Sequence, residues 1–184
     1  MRKKFSVYRC LFCKHEVGER VEYCPYCGAS KVYLVNPAEF FNYRVNIDNL
    51  SDMEVSDLIK TLELEIDNAD FYRKAEEFSD SLEYETYYRY LRRHEEYHVD
   101  EIAKIIGVSN IDAVDTEGLE LPDNHRDIFI KSTEIEERAI DFYNTAKERA
   151  GNKTLEYIYE ALIEAEEYHV DIFEFLKYKS EEVE

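Results

Sequence analysis

Glu95-Glu96-Tyr97-His98-Val99-Asp100 recurs letter for letter as Glu166-Glu167-Tyr168-His169-Val170-Asp171, 71 residues later. The same offset carries Leu91 onto Leu162, Phe71-Tyr72 onto Phe142-Tyr143, Ala75 onto Ala146 and Glu65 onto Glu136. The chain is therefore an internal duplication. Each copy holds a Glu (Glu65, Glu136), then thirty positions later a second Glu followed by x-x-His (Glu95-x-x-His98, Glu166-x-x-His169).

Four carboxylates and two imidazoles in this order form the ligand inventory of a di-iron or di-manganese carboxylate site. Such a site lies inside a four-helix bundle, where two helices each supply a Glu and the other two each supply Glu-x-x-His. The helices are legible from their ends. Ser51-Asp52-Met53-Glu54 is a capping box that opens the first helix, which is expected to run to about Ser79. A second runs from Asp80-Ser81 to Gly107, a third from Asp123 to Ala150, and a fourth from Asn152 to about Tyr178. Residues 108–122, with Gly118 and Pro122, read as a long crossover between two short loops, the one-crossover type of bundle.

The height and facing of the four Glu agree with this reading. Glu65 and Glu95 lie on either side of the first short turn at equal separation, which a ~1.5 Å rise per residue converts to ~22 Å. Glu136 and Glu166 match that height about the second short turn to within roughly one helical turn. Glu65 shares a stripe with Leu58, Leu62, Ala69, Tyr72 and Glu76. Glu63 falls with Ser56, Lys60, Asp67 and Asp70, a solvated face. Glu136 lies with Phe129, Ala139, Ile140 and Tyr143, and Glu166 and His169 with Leu155, Leu162, Phe173 and Leu176. Four carboxylates in an apolar core require compensating charge, which two divalent cations supply. Tyr72 and Tyr143 each fall seven residues after the first Glu of their copy, so their hydroxyls are candidates to bind ligand carboxylates. Tyr97 and Tyr168 read as packing between helices.

His94-Glu95-Glu96-Tyr97-His98 also matches the H-E-x-x-H helix of zinc proteases. Its counterpart begins with Ala165, so only Glu-x-x-His survives the duplication, and His94 reads as incidental.

Upstream, Cys10-Leu11-Phe12-Cys13 and Cys24-Pro25-Tyr26-Cys27-Gly28 are two C-x-x-C knuckles, each aiming two thiolates at one point. Together they predict a tetrahedral four-sulfur site holding iron, a one-electron centre, or zinc, a structural one. The β-branched and aromatic content of residues 5–9 and 31–35 predicts flanking strands. The expected organisation is a small metal-binding β domain over 1–35, a linker over 36–50 that packs through Phe40, Phe41 and Tyr43, and the helical domain over 51–184.

Composition narrows the partners. The net charge is -19, with 35% charged residues, so nucleic acid and anionic membrane are repelled. No apolar run approaches the ~20 residues of a membrane span, and no apolar signal core follows the basic Met1-Arg2-Lys3-Lys4 start, so a cytoplasmic location is expected.

Taken in order, Cys10-x-x-Cys13, Cys24-Pro25-Tyr26-Cys27-Gly28, Glu65, Glu95-x-x-His98, Glu136 and Glu166-x-x-His169 resemble the rubrerythrins over nearly the whole chain. Because the rubredoxin-like unit comes first, the chain resembles the reverse arrangement of that family. The resemblance implies a ferritin-like bundle holding two irons (manganese being the alternative) and a further iron, or zinc, on the four Cys. It also implies a peroxidase that reduces hydrogen peroxide to water, with electrons relayed through the FeS4 centre from a rubredoxin or flavoprotein reductase. It further implies a homodimer in which the FeS4 centre of one subunit serves the helical site of the other. Two positions depart from the family. Thr133 stands where a seventh carboxylate is usual, with Glu134 and Glu137 nearby, and Lys14 stands where the first knuckle usually has Gly. The competing function is a ferritin-like iron oxidase or iron-handling protein with a structural zinc ribbon.

Overall fold

The computed structural model describes residues 6–41 and 49–181. It is mainly helical, with a small antiparallel sheet at the N-terminal end. The helices are α1 (Asp52–Phe78), α2 (Leu82–Ile106), α3 (His125–Arg149) and α4 (Lys153–Glu181). Ser51 and Glu54 form both halves of the capping box at the start of α1. Ser81 and Asn124 accept from the Tyr84 and Asp127 amides at the starts of α2 and α3. Gly107 ends α2 in the left-handed conformation, φ 73°, where a residue without Cβ is least strained. α1 pairs with α2 and α3 with α4, as short connections between antiparallel neighbours require.

The crossover between α2 and α3 is tied down by α1. Gly118 N donates to Asp67 Oδ1 at 3.0 Å, and Lys74 Nζ donates to the Leu119 carbonyl. Asp67 is buried as a result, which corrects the expectation that its whole stripe is solvated. Helical periodicity identified the face that turns away from the core but carried no information about the loop that covers it.

The sheet has the order β2 (Glu16–Gly18), β1 (Val7–Cys10), β3 (Leu34–Val35). Residues 31–33 form a short 3₁₀ turn rather than the expected strand, because the chain leaving the second knuckle must curl before it reaches β1. Of the segment read as a linker, Phe40 lies under the Arg9 guanidinium, 4.5 Å from its ring centre, and Phe41 lies beside Tyr157. Tyr43, like Met1-Arg2-Lys3-Lys4-Phe5, falls outside the described residues. Among the described residues no helix is long and apolar enough to cross a membrane.

Candidate metal centres

The two knuckles are near copies. Lys14 N donates to the Cys10 carbonyl at 2.9 Å and Gly28 N to the Cys24 carbonyl at 3.0 Å. Cys10 N and Cys24 N close the turns onto the His15 and Ala29 carbonyls. Both turns need a positive φ at the residue after the second Cys, 66° at Lys14 and 69° at Gly28. A side chain there costs ~1–2 kcal/mol in backbone sterics. The first knuckle tolerates Lys14 because its ammonium pairs with the buried Glu101 of α2. The second must be Gly: an added Cβ would lie 3.1 Å from His94 Nδ1 and 3.3 Å from both Ala165 Cβ and His169 Nε2. The departure at Lys14 therefore leaves the turn geometry intact.

All four Cys are buried and unbridged. Cys10 Sγ lies 3.8 Å from Cys27 Sγ, and Cys13 Sγ 3.5 Å from Cys24 Sγ. A tetrahedron with ~2.3 Å metal–sulfur bonds has edges of ~3.8 Å, so the four thiols fit one ion. They cannot titrate independently: burial first, then the neighbouring thiols, pushes Cys27 up, whereas hydrogen bonds from Cys10 and Cys13 pull Cys24 down.

The helices bring Glu65 (α1), Glu95 and His98 (α2), Glu136 (α3), and Glu166 and His169 (α4) to one place, every one of them fully buried. Their ligand atoms form two overlapping groups, Glu65-Glu95-His98-Glu166 and Glu95-Glu136-Glu166-His169. Glu95 and Glu166 belong to both, so they are placed to be shared by two ions, while Glu65 and Glu136 each belong to one group. His98 Nδ1 is 3.2–3.3 Å from oxygens of Glu65, Glu95 and Glu166. His169 Nδ1 is 3.0, 3.4 and 2.7 Å from oxygens of Glu95, Glu136 and Glu166. None of the four oxygens of Glu95 and Glu166 receives a well-directed hydrogen bond, nor does His169 Nδ1 make one. Lone pairs that converge without a donor are what ligands around a cation present. Four carboxylates also balance the charge of two divalent ions. The donor set of oxygen and imidazole suits iron or manganese.

Outer contacts orient these groups. Tyr143 Oη donates to Glu65 Oε1 at 2.6 Å, and Tyr72 Oη donates to Glu136 Oε1. Each tyrosine thus serves the unshared carboxylate of the other copy. Burial and the surrounding carboxylates hold both phenols well above their ordinary titration range, so they remain donors. Tyr72→Phe and Tyr143→Phe are each expected to weaken uptake of one metal equivalent by ~10-fold or more, as loss of such contacts does elsewhere. Calorimetric titration of the metal-free protein checks this. Asn68 Nδ2 adds a second bond to Glu136 at 3.2 Å. Its counterpart is Ala139, so periodicity within the duplication gave no signal for it. Thr133 back-bonds to the Phe129 carbonyl, and Glu134 is half exposed and paired with Lys131. Among the described residues the two overlapping groups therefore offer six candidate ligands.

The readings of three residues change. His94 is not incidental: it is fully buried, with Nδ1 3.0 Å from His169 Nε2. Tyr97 and Tyr168 do not simply fill the gaps between helices. Tyr168 stacks on Tyr23 at 4.0 Å, and Tyr97 stands edge-on to Tyr26 and His15. The duplicated tyrosines are thus the seats of the second knuckle on α2 and α4. That knuckle makes the most direct connection between the two centres: His98 Nε2 donates to the Cys27 carbonyl at 2.9 Å, with Phe12 edge-on to the same ring. Since a carbonyl only accepts, Nε2 of His98 carries hydrogen and Nδ1 is the nitrogen left to bind metal.

The metal-free site should have a characteristic pH dependence. Burial, reinforced by neighbouring carboxylates, holds Glu95 well above its ordinary 4.5 and pushes Glu136 up to about 7. Burial acts against His98 and His169 protonation, but the carboxylates around them win and raise both. Glu166 goes the other way, to about 2, because the two imidazolium groups outweigh its burial. Groups raised on folding favour the folded state at low pH and lose that contribution as pH rises through their folded values. The metal-free chain is therefore expected to lose stability between about pH 5 and 8, while the contribution of Glu166 is lost only as pH falls below about 4.5 toward 2. Metal uptake must expel these protons, so affinity should rise by about a decade per pH unit for each proton released. Thermal melts with and without metal across that range would show the two slopes with opposite sign.

Compared with protein-family models, curated proteins and solved structures, the chain gives no match.

Proposed function

We propose that this chain is a non-haem two-metal peroxidase of the rubrerythrin type, in the reverse arrangement, with a ferritin-like helical domain. On this reading the four-cysteine centre holds iron and passes electrons to the helical site of its own chain, in place of the transfer between subunits that the family resemblance implies. The observation that carries it is the Cys27 carbonyl–His98 Nε2 hydrogen bond. One residue supplies a thiolate to the first centre and an acceptor to a ligand of the second. The route between the centres is thus a few covalent bonds and one hydrogen bond.

Two iron ions held by Glu65, Glu95, His98, Glu136, Glu166 and His169 would supply the two electrons that cleave the oxygen–oxygen bond of hydrogen peroxide, giving two waters with two protons taken up. The chain's own groups do the rest. Tyr72 and Tyr143 keep their protons on Oη and fix the unshared carboxylates. Phe71, Leu91, Ile128, Phe129 and Phe173 pack with Tyr72 in one buried cluster, which keeps the dielectric low beside the Tyr72–Glu136 contact. Electrons reach the four-cysteine centre from an external donor, a rubredoxin or a flavoprotein reductase. The Lys14 and Ser30 links to Glu101 and Glu164 hold that centre on α2 and α4.

Iron-loaded, anaerobically reduced protein is expected to consume peroxide faster than an equal concentration of free ferrous ion. Consumption no faster than that control would refute the proposal. The competing iron-handling function would appear as many irons per chain in a large assembly, with zinc on the cysteines.

A further inference from the structure

We propose that His94 is the positioning residue for His169, doing on one half of the helical site what the Cys27 carbonyl does on the other. The inference rests on the reading of the helical cluster as a two-metal site, and concerns how its two halves are made unequal.

The duplication pairs Glu with Glu and His with His at every ligand position, so the ligands alone give equivalent halves. The residues just outside break that symmetry. The outer nitrogen of His98 meets a backbone carbonyl of the second knuckle at 2.9 Å. Among the described residues the outer nitrogen of His169 makes no hydrogen bond to the backbone and faces Nδ1 of His94 at 3.0 Å. The knuckle sits across both halves, with Gly28 between His94 and its counterpart Ala165: an added Cβ there would lie 3.1 Å from His94 Nδ1 and 3.3 Å from Ala165 Cβ. A histidine at 165 would occupy the space that Gly28 and its neighbours fill. A small residue at 94 would leave the outer nitrogen of His169 buried without a partner. The His94/Ala165 mismatch is thus complementary to a single knuckle seated across a duplicated site.

If His169 is to present a lone pair at Nδ1, its hydrogen must be on Nε2, with His94 Nδ1 as its acceptor. The hydrogen of His94 is then on Nε2, an atom with no hydrogen-bond partner among the described residues; the ring of Tyr90 stands edge-on to His94 with centroids 4.2 Å apart. His94 accordingly selects the tautomer of His169 through a side chain, whereas His98 is fixed by the backbone. The two metal positions should therefore differ in affinity despite identical ligand sets.

Zinc-loaded, nitrogen-15-labelled full-length protein tests this without any redox reaction. Imidazole spectra are expected to place the His169 hydrogen on Nε2. Beyond the zinc taken by the four cysteines, His94→Phe is expected to weaken one of the two remaining equivalents by about 10–100-fold, the usual effect of losing a partner to a ligand imidazole. The other equivalent should be unchanged. His94→Asn, whose Oδ1 overlies the position of Nδ1, should recover most of the loss, which a merely space-filling role would not produce. The inference is overturned by a His169 hydrogen on Nδ1 in the wild-type protein. It is equally overturned by a folded His94→Phe variant that binds both equivalents normally, or by His94→Asn binding no better than His94→Phe. If neither variant folds, the wild-type tautomer decides. A wild-type chain that takes no zinc beyond the cysteine site would instead contradict the two-metal reading itself.

Discussion

Glu95→Gln is expected to empty the helical centre of both ions, whereas Glu65→Gln should empty only one half. Glu95 belongs to both candidate groups and Glu65 to one, so the shared carboxylate would touch each ion and cancel part of the charge of each. The amide is nearly isosteric but neutral, and it presents a single acceptor oxygen. The loss should be visible as two metal equivalents per chain reduced to none, with the cysteine equivalent retained. Stability should follow. A ligand at a thousand times its dissociation constant stabilises the folded state by ~4 kcal/mol, and the variant forgoes this for each site lost. Without metal the sign reverses. Burial and the charges of Glu166 and Glu136 already drive Glu95 to hold a proton, so above about pH 5 the amide removes a penalty and the metal-free variant should melt no lower than metal-free wild type. Elemental analysis and paired melts check both halves. A Glu95→Gln protein that retains two ions in the helices would show that Glu95 does not bridge.

Gly28→Val is expected to separate the two centres without touching a ligand. Position 28 combines a left-handed φ of 69° with neighbours 3.1–3.3 Å from any added Cβ. The backbone strain of a non-glycine residue there is ~1–2 kcal/mol, more for a β-branched one. Forcing atoms into a filled contact typically adds ~1–3 kcal/mol. The sum, ~2–5 kcal/mol, shifts the seating of the knuckle by roughly 30-fold or more. The chain can relieve it only by lifting the knuckle off His94, Ala165 and His169, which breaks the Cys27–His98 hydrogen bond. Hydrogen exchange should then rise at Cys24–Gly28, and the stacking of Tyr23 on Tyr168 should be lost. The four-cysteine centre should still load, because no ligand has changed, while one equivalent of the helical centre should bind about 10–100-fold more weakly, because His98 has lost its outer acceptor. Wild-type exchange rates across the knuckle in Gly28→Val would show that the contact is not as tight as its geometry.

Much of this is legible in the sequence itself. The repeat at offset 71 carries Glu65, Glu95, His98, Glu136, Glu166 and His169. The capping serines, Asp123 and Gly107 place these ends of the helices within a residue or two. These features are local or periodic, and a sequence displays both directly. What stayed hidden arises where segments far apart in the chain meet. Asp67 lies on a polar stripe but is covered by Gly118 of the crossover. Tyr97 and Tyr168 look like packing residues until the knuckle is seen resting on them. Asn68 and His94 have no partner under the duplication, so a reading that trusts symmetry discards them, although each bonds a ligand. The H-E-x-x-H coincidence at His94 was a signal of the right residue with the wrong chemistry attached.

The most direct test of the account is a single-turnover experiment on iron-loaded protein reduced without oxygen, mixed with one equivalent of peroxide and followed by visible absorption of the four-cysteine centre. The account predicts three irons per chain, and return of the oxidised FeS4 spectrum at a rate independent of protein concentration, as transfer within one chain requires. A four-cysteine centre that holds zinc, or one that stays reduced after peroxide is consumed, would contradict it.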